Sequence, residues 1–231
     1  MKRFWKEARA VAGETGWTIE LDGKPLRTPA RMPLLLPTEA LAEAIAEEWN
    51  LAGETVDPRA MPLTGLANAA IDRIATDADA FAAGLARYGE ADLLCYRADS
   101  SQAALAEQQE LEWSRILNWA RRRYDVDFAV TAGMLHVPQP EATVRRLAHA
   151  VAELDAFRLA GLSPLVTIGG SLVAALMIAE EAIAAEDAWH AVTLDERWQM
   201  EQWGSDAEAE AMLASRREDF LAGARFLTLL A

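Results

Sequence analysis

At Pro37 the hydrophobic pattern changes period, and that switch restricts the fold more than any other feature of the sequence. Before it, Trp17, Ile19 and Leu21 alternate with Thr18 and Glu20, the two-residue period of a half-buried strand. Asp22-Gly23 follows as a two-residue hairpin turn, so a return strand is expected over residues 24–28. Pro29 and Pro33 confine any further strand to an edge, and Leu34-Leu35-Leu36 can supply one last short strand. After Pro37 the period is helical. Thr38 is placed to cap a helix running to about Leu51, with Leu41, Ile45, Glu48 and Trp49 at helical spacing and Gly53 beyond its end. Residues 56–62, with two prolines, read as a connection. The expected fold class is α+β: a small β-rich N-terminal domain over residues 1–60, followed by a larger, mainly α-helical domain over 61–231.

The remainder reads as helices punctuated by turn residues. Thr64 is expected to cap a helix carrying Leu66, Ala70, Ile71 and Ile74. Thr76 and Asp77 open another, with Phe81, Leu85 and Tyr88, broken at Gly89. A long helix over 102–123 carries Leu105, Leu111, Ile116 and Trp119. It closes on Arg121-Arg122-Arg123, cations that suit a helix C-terminus better than an anion site in so acidic a chain. Residues 128–130 and 134–137 are short extended candidates around Gly133, and a helix is expected from Pro140 to about Leu159. Ser163-Pro164 should open the next helix, apolar nearly all round until Glu180 and therefore the most buried. Gly169-Gly170-Ser171 within it would let a neighbour approach closely. As a phosphate loop it lacks the following Lys-Ser/Thr and a clear preceding strand. The last helix, from Asp206 to about Leu229, should face the core with Met212, Phe220, Phe226 and Leu229.

Charge and composition exclude several functions. A formal charge of -14 over 231 residues opposes binding to a phosphate backbone or to an anionic membrane. The longest apolar run, residues 165–179, is shorter than the ~20 residues that span a bilayer. No apolar segment follows the basic N-terminal residues as a secretory signal would require. Cys95 is the single cysteine, so no internal disulfide forms; between Leu94 and Tyr96 it reads as a buried thiol. His136, His149 and His190 are far apart and make no zinc pattern. No GxSxG elbow and no GxxxxGK[ST] loop occurs, so no cofactor, metal or small-molecule ligand is expected.

Residues 193–206 stand apart. Thr193 and Glu196 have capping-box spacing, Gly204 suits the left-handed position past a helix end, and Ser205 with Glu208 repeats the box. Leu194, Trp198 and Glu201 share one face; Glu196, Met200 and Trp203 make the neighbouring one. Capping accounts for Glu196 but not for Glu201. Glu201 either pairs with Arg197 four residues earlier on a solvated surface, or anchors an aromatic patch that meets a partner. Trp198 and Trp203 are either core residues or part of that patch.

Several segments together resemble one family. They are Arg3-Phe4-Trp5-Lys6, Leu21-Asp22-Gly23-Lys24-Pro25-Leu26 with Thr28-Pro29, Leu41-Ala42 with Glu48-Trp49, Met61-Pro62-Leu63-Thr64 with Ala70-Ile71-Asp72-Arg73, and Trp198-Gln199 with Glu201, Trp203 and Gly204. In this order they resemble the assembly chaperone of the F1 sector of ATP synthase that binds the alpha subunit. The resemblance implies a β-rich domain ahead of a helical one and a function without a reaction. Such a protein shields the unassembled alpha subunit and leaves when beta takes its place. It further implies a partner surface on the segment around residues 196–206, here Glu196, Trp198, Gln199, Glu201, Trp203 and Asp206. One departure is the lack of a histidine in residues 207–211, where the family pattern has one shortly after Trp-Gly. A start directly at Arg-Phe-Trp fits a bacterial cytoplasmic member, or a mitochondrial matrix member with its presequence removed. The alternatives are a small-molecule enzyme with a pocket between the domains, and a general holdase for unfolded chains.

Overall fold

The fold was obtained as a computed structural model, which describes residues 2–133, 135–204 and 206–231. Strand β1 (Ala8–Ala12) pairs antiparallel with β2 (Trp17–Leu21), and β3 (Lys24–Pro25) completes a three-stranded sheet in the order β1-β2-β3. Ile19 and Leu21 are buried, as the alternation requires. Asp22 and Gly23 both take positive φ, at 49° and 79°, which is the turn geometry that matches strand twist. The return strand ends early at Pro25. Beyond it only single bridges form, Arg27 to Pro33 and Trp17 to Leu36, because the prolines remove ladder donors. Leu34 and Leu36 are nevertheless buried under the sheet.

Helix α1 (Glu39–Leu51) begins where expected, with the Thr38 hydroxyl accepting the Leu41 N–H at 3.3 Å. It buries Leu41, Ile45 and Trp49 against the sheet. Asn50 ties the two together by exchanging two hydrogen bonds with the Ala8 backbone, and the Trp5 indole N–H donates to the Trp49 carbonyl at 3.1 Å.

Helix α2 (Pro62–Ala69) corrects one expectation. Thr64 lies inside it rather than capping it. Its backbone N–H and hydroxyl both donate to the Glu48 carboxylate, at 2.8 and 2.7 Å, and the Leu63 N–H reaches the other oxygen at 2.8 Å. The cap is therefore supplied by α1, one full element away. After a π-turn over Ala70–Ile74, Asp77 caps α3 (Ala78–Ala86) as expected.

Strand β4 (Tyr96–Arg97) precedes α4 (Ala103–Tyr124) and pairs in parallel with β5 (Thr131–Ala132). The extended residues thus fall between the two stretches read from sequence; Met134, which opens the second, lies outside the described residues. On α4, Leu105, Trp113 and Ile116 are buried, whereas Leu111 is exposed.

The C-terminal helices depart most from the sequence reading. A helix reaching to Leu159 is replaced by two: α5 (Glu141–Ala152) and α6 (Ala156–Gly169), which Asp155 caps by accepting the Arg158 N–H at 2.9 Å. Ser163-Pro164 starts nothing; it lies in the middle of α6. There the proline ring packs on α10 (Ala207–Thr228), which runs closely across α6: a Cβ at Gly223 would stand 2.5 Å from the Pro164 ring and 2.8 Å from the Gly161 carbonyl. Gly169-Gly170-Ser171 is a break, with Gly170 left-handed at φ 68° and the Ser171 hydroxyl capping α7 (Leu172–Ala179). The apolar run is therefore split between the end of α6 and the whole of α7, and α7 is the most deeply buried element, with residues 172–178 all inside. Helices α8 (Ala185–Val192) and α9 (Leu194–Trp203) lead to α10, on which Phe220 and Phe226 are buried but Met212 is exposed. Buried apolar residues from Trp5 to Leu230 form one continuous cluster under sheet and helices alike.

Candidate functional site

Helix α9 touches α4 and α8 and buries one residue, Leu194; Trp198 is half-buried against the core. The expected capping box at its start does not form. Thr193 sits in nearly continuous helix between α8 and α9, with its hydroxyl donating back to the Trp189 carbonyl at 2.7 Å, and the Arg197 N–H reaches the Thr193 carbonyl. With no free chain end at Thr193 there is no free N–H to cap. Ser205, the start of the second proposed box, lies outside the described residues. Asp206 caps α10, its carboxylate accepting the Ala209 N–H at 2.8 Å.

Polar contacts hold the base of α9. Asp195 accepts the Gln109 side-chain N–H at 2.6 Å, and Glu196 accepts Arg216 Nη1 at 2.7 Å. Arg216 Nη2 then donates to the Ile168 carbonyl at the end of α6, 3.2 Å away. Arg197 donates to the His190 carbonyl at 2.8 Å. Burial holds the Asp195 carboxyl above its ordinary range, against the Gln109 bond that lowers it.

The tip differs. Gln199, Glu201 and Trp203 are exposed, and Trp203 keeps 75% of its surface in water. Among the described residues no hydrogen bond or ion pair reaches Glu201, so the pairing with Arg197 is not made. Gly204 follows with φ 82° and ψ 164°, a conformation open to glycine almost alone. The six residues singled out from sequence thus divide. Glu196, Trp198 and Asp206 hold the local fold, while Gln199, Glu201 and Trp203 point outward. Sequence reasoning missed Arg216 and Gln109, whose contacts to α9 cross 20 and 86 residues and leave no periodic signal.

Two cavities contain clusters of charged and polar side chains. The larger, about 770 Å³, is edged by Arg123, Arg146, Arg158 and Glu180 over Leu176 and Leu227. Its arginines are each paired: Arg123 with Glu180, Arg146 with Asp125 at 2.6 Å, Arg158 with Asp155 at 2.6 Å. A second, about 450 Å³, lies beside α9 between Arg97, Gln109, Asp195 and Gln199. Asp92 and Cys95 have the strongly raised carboxyl and thiol, the first to about 6 and the second to about 12, chiefly through burial. Asp92 caps α7 from within the core and is fully enclosed, which suits a structural carboxylate. Among the described residues, no cluster of three or more His, Cys, Asp or Glu is placed to hold a metal, and no helix is long and apolar enough to cross a membrane.

Comparison with known proteins agrees with the ordered motifs. The family described as ATP12 chaperone protein matches residues 2–121. The crystal structure of Atp12 from Paracoccus denitrificans superposes with a TM-score of 0.94 at 44% identity, over 100% of this chain and 98% of that one. An aspartate-to-lysine variant of the Paracoccus protein matches at 43% identity, a TM-score of 0.94 and the same coverage. The mitochondrial protein atp12 of Schizosaccharomyces pombe is 26% identical over 90% of this chain and 75% of its own length. The chain belongs to the ATP12 chaperone protein family.

Proposed function

We propose that this protein is an assembly chaperone for ATP synthase that binds the unassembled alpha subunit of the F1 sector and is displaced when beta docks. The observation that carries the reading is the tip of α9, where a tryptophan left three-quarters exposed stands two residues from a carboxylate that pairs with none of the described residues. Exposed aromatics flanked by polar groups are the usual anchors of a protein interface. Membership in a chaperone family supports it. So does the physical need: an obligate subunit interface is large and apolar, and aggregates until it is filled. The compartment is the one where F1 is assembled, the bacterial cytoplasm or the mitochondrial matrix.

The test is co-expression of this chain with the alpha and beta subunits of its own organism, singly and together. Capture of alpha alone, lost on adding beta, is the expected result. Glu201→Lys and Trp203→Ala should each weaken capture while leaving the fold intact. Equal capture of denatured, unrelated proteins would instead make the chain a general holdase.

A further inference from the structure

Helix α9 carries the outward residues, yet its own sequence gives it little hold on the core: one buried leucine and one half-buried tryptophan in ten residues. Backbone continuity with α8 through Thr193 and the Arg197 bond to the His190 carbonyl hold its start, and polar contacts from distant elements add to them. Arg216 of α10 bonds two different helices at once, Glu196 of α9 at 2.7 Å and the last-turn carbonyl of Ile168 in α6 at 3.2 Å. That carbonyl is one of those a helix leaves unpaired at its C-terminus, so the guanidinium there is both hydrogen-bonded and favoured by the helix dipole. On the other side the Gln109 amide is buried; it accepts the Ala98 N–H at 2.6 Å and donates to Asp195 at 2.6 Å. The two contacts grip consecutive residues, 195 and 196, at the base of α9.

We propose that Arg216 is a positioning residue for the partner contact: by fastening Glu196 to the end of α6 it fixes the direction in which α9 presents Gln199, Glu201 and Trp203. The inference rests on the reading of α9 as the partner surface. The role assigned to Arg216 is indirect: its side chain is 40% exposed and its two bonds are internal. A rotation at the base moves the tip by the length of the helix, so a loosened clamp costs the partner contact more than it costs the fold.

The experiment compares the wild type with Arg216→Met and with a control, Arg217→Met, which removes the neighbouring α10 pair with Glu186 but touches nothing on α9. Three quantities are read: capture of purified F1 alpha subunit, the melting midpoint, and amide hydrogen exchange across residues 194–203. The expected result for Arg216→Met is binding weaker by about two- to thirtyfold, the range of long-range coupling effects. Exchange in α9 should be faster and the melting midpoint close to wild type. Arg217→Met should bind as the wild type does. Glu196→Ala, which breaks the same clamp from the α9 side, should reproduce the loss; it also serves if Arg216→Met does not fold. Arg216→Lys, which keeps the charge and one bond, should recover part of the binding.

Unchanged capture with faster exchange in α9 would overturn the proposal, as would equal losses from Arg216→Met and Arg217→Met. Failure of the underlying reading looks different. Glu201→Lys and Trp203→Ala would then bind like the wild type, while Arg216→Met still raised exchange in α9.

Discussion

Helices α7 and α9 are of similar length and opposite construction. Helix α7 is eight residues of Leu, Val, Ala, Met and Ile, with residues 172–178 all buried. Helix α9 is ten residues, with a single one buried. The first is held by displaced water, the second by a few directed polar bonds from α4 and α10. Two polar atoms near its base, Glu196 Oε2 and Arg197 Nε, are enclosed without a hydrogen-bond partner, and each such atom weakens the hold further. Apolar packing makes an element stable but hides its side chains. Polar clamping gives less stability and leaves the side chains free to meet another protein. A chaperone needs both, in different places.

The contrast is sharpest under truncation. Leu172 of α7 is wholly enclosed, so Leu172→Ala should lower unfolding stability by about 2–5 kcal/mol. Trp203→Ala removes a larger side chain but one already in water, and should change stability by no more than about 0.5 kcal/mol. Urea midpoints measure both. Comparable losses would mean that α9 is part of the cooperative core after all.

The second way to press on α7 is through pH. Asp92 accepts the Val173 N–H at 3.0 Å and the Leu94 N–H at 3.1 Å, joining α7 to the turn before β4 from inside the core. Burial lifts its carboxyl from 3.8 to about 6 despite those bonds. A carboxyl raised in the folded state favours folding fully below its unfolded value, and that contribution is lost as the pH rises through about 6. Between pH 4 and 6 the stability of the wild type should therefore fall, relative to Asp92→Asn, by up to about 3 kcal/mol. A difference between the two proteins that stayed flat across that window would mean the carboxylate is stabilised by its backbone donors as fully as it was by water. On α9 the raised carboxyl is that of Asp195, which is half-buried.

How far the sequence could be read follows the same division. The sheet, its turn and α1 were legible because each signal is local: alternation at Trp17, Ile19 and Leu21, positive φ at Asp22-Gly23, a cap at Thr38. The cap at Asp77 was legible for the same reason, whereas the cap of α10 was read at Ser205, outside the described residues, and is supplied by Asp206. What failed depended on a distant partner. Thr64 lost its cap to Glu48, and Pro164 stayed within α6, where its ring meets Gly223. Met212 and Leu111 have the right spacing for a core but no neighbour to cover them. At the site, Glu201 was singled out because capping did not account for it, and Trp203 through the family resemblance, with an Arg197 pair and core packing as the local alternatives. Arg216 could not, because an arginine in an acidic helix has many possible partners and the sequence does not say which one the fold brings near.

The smallest expected effect tests the junction where α8 becomes α9. Thr193 has the sequence of a cap and the environment of a mid-helix residue: its N–H and hydroxyl both donate to Trp189, at 3.1 and 2.7 Å, and the residue is buried. A true cap replaced by a residue without an oxygen loses about 0.5–2 kcal/mol, and Asp206→Ala should show that loss at the start of α10. Thr193→Val keeps the shape, leaves the Trp189 carbonyl its backbone donor and suits a helical, buried position, so it should cost less than about 0.5 kcal/mol. If Thr193→Val cost as much as Asp206→Ala, then α8 and α9 would be separate helices in solution. The tip of α9 would then take its direction from a hinge at Thr193 rather than from the clamps at Asp195 and Glu196.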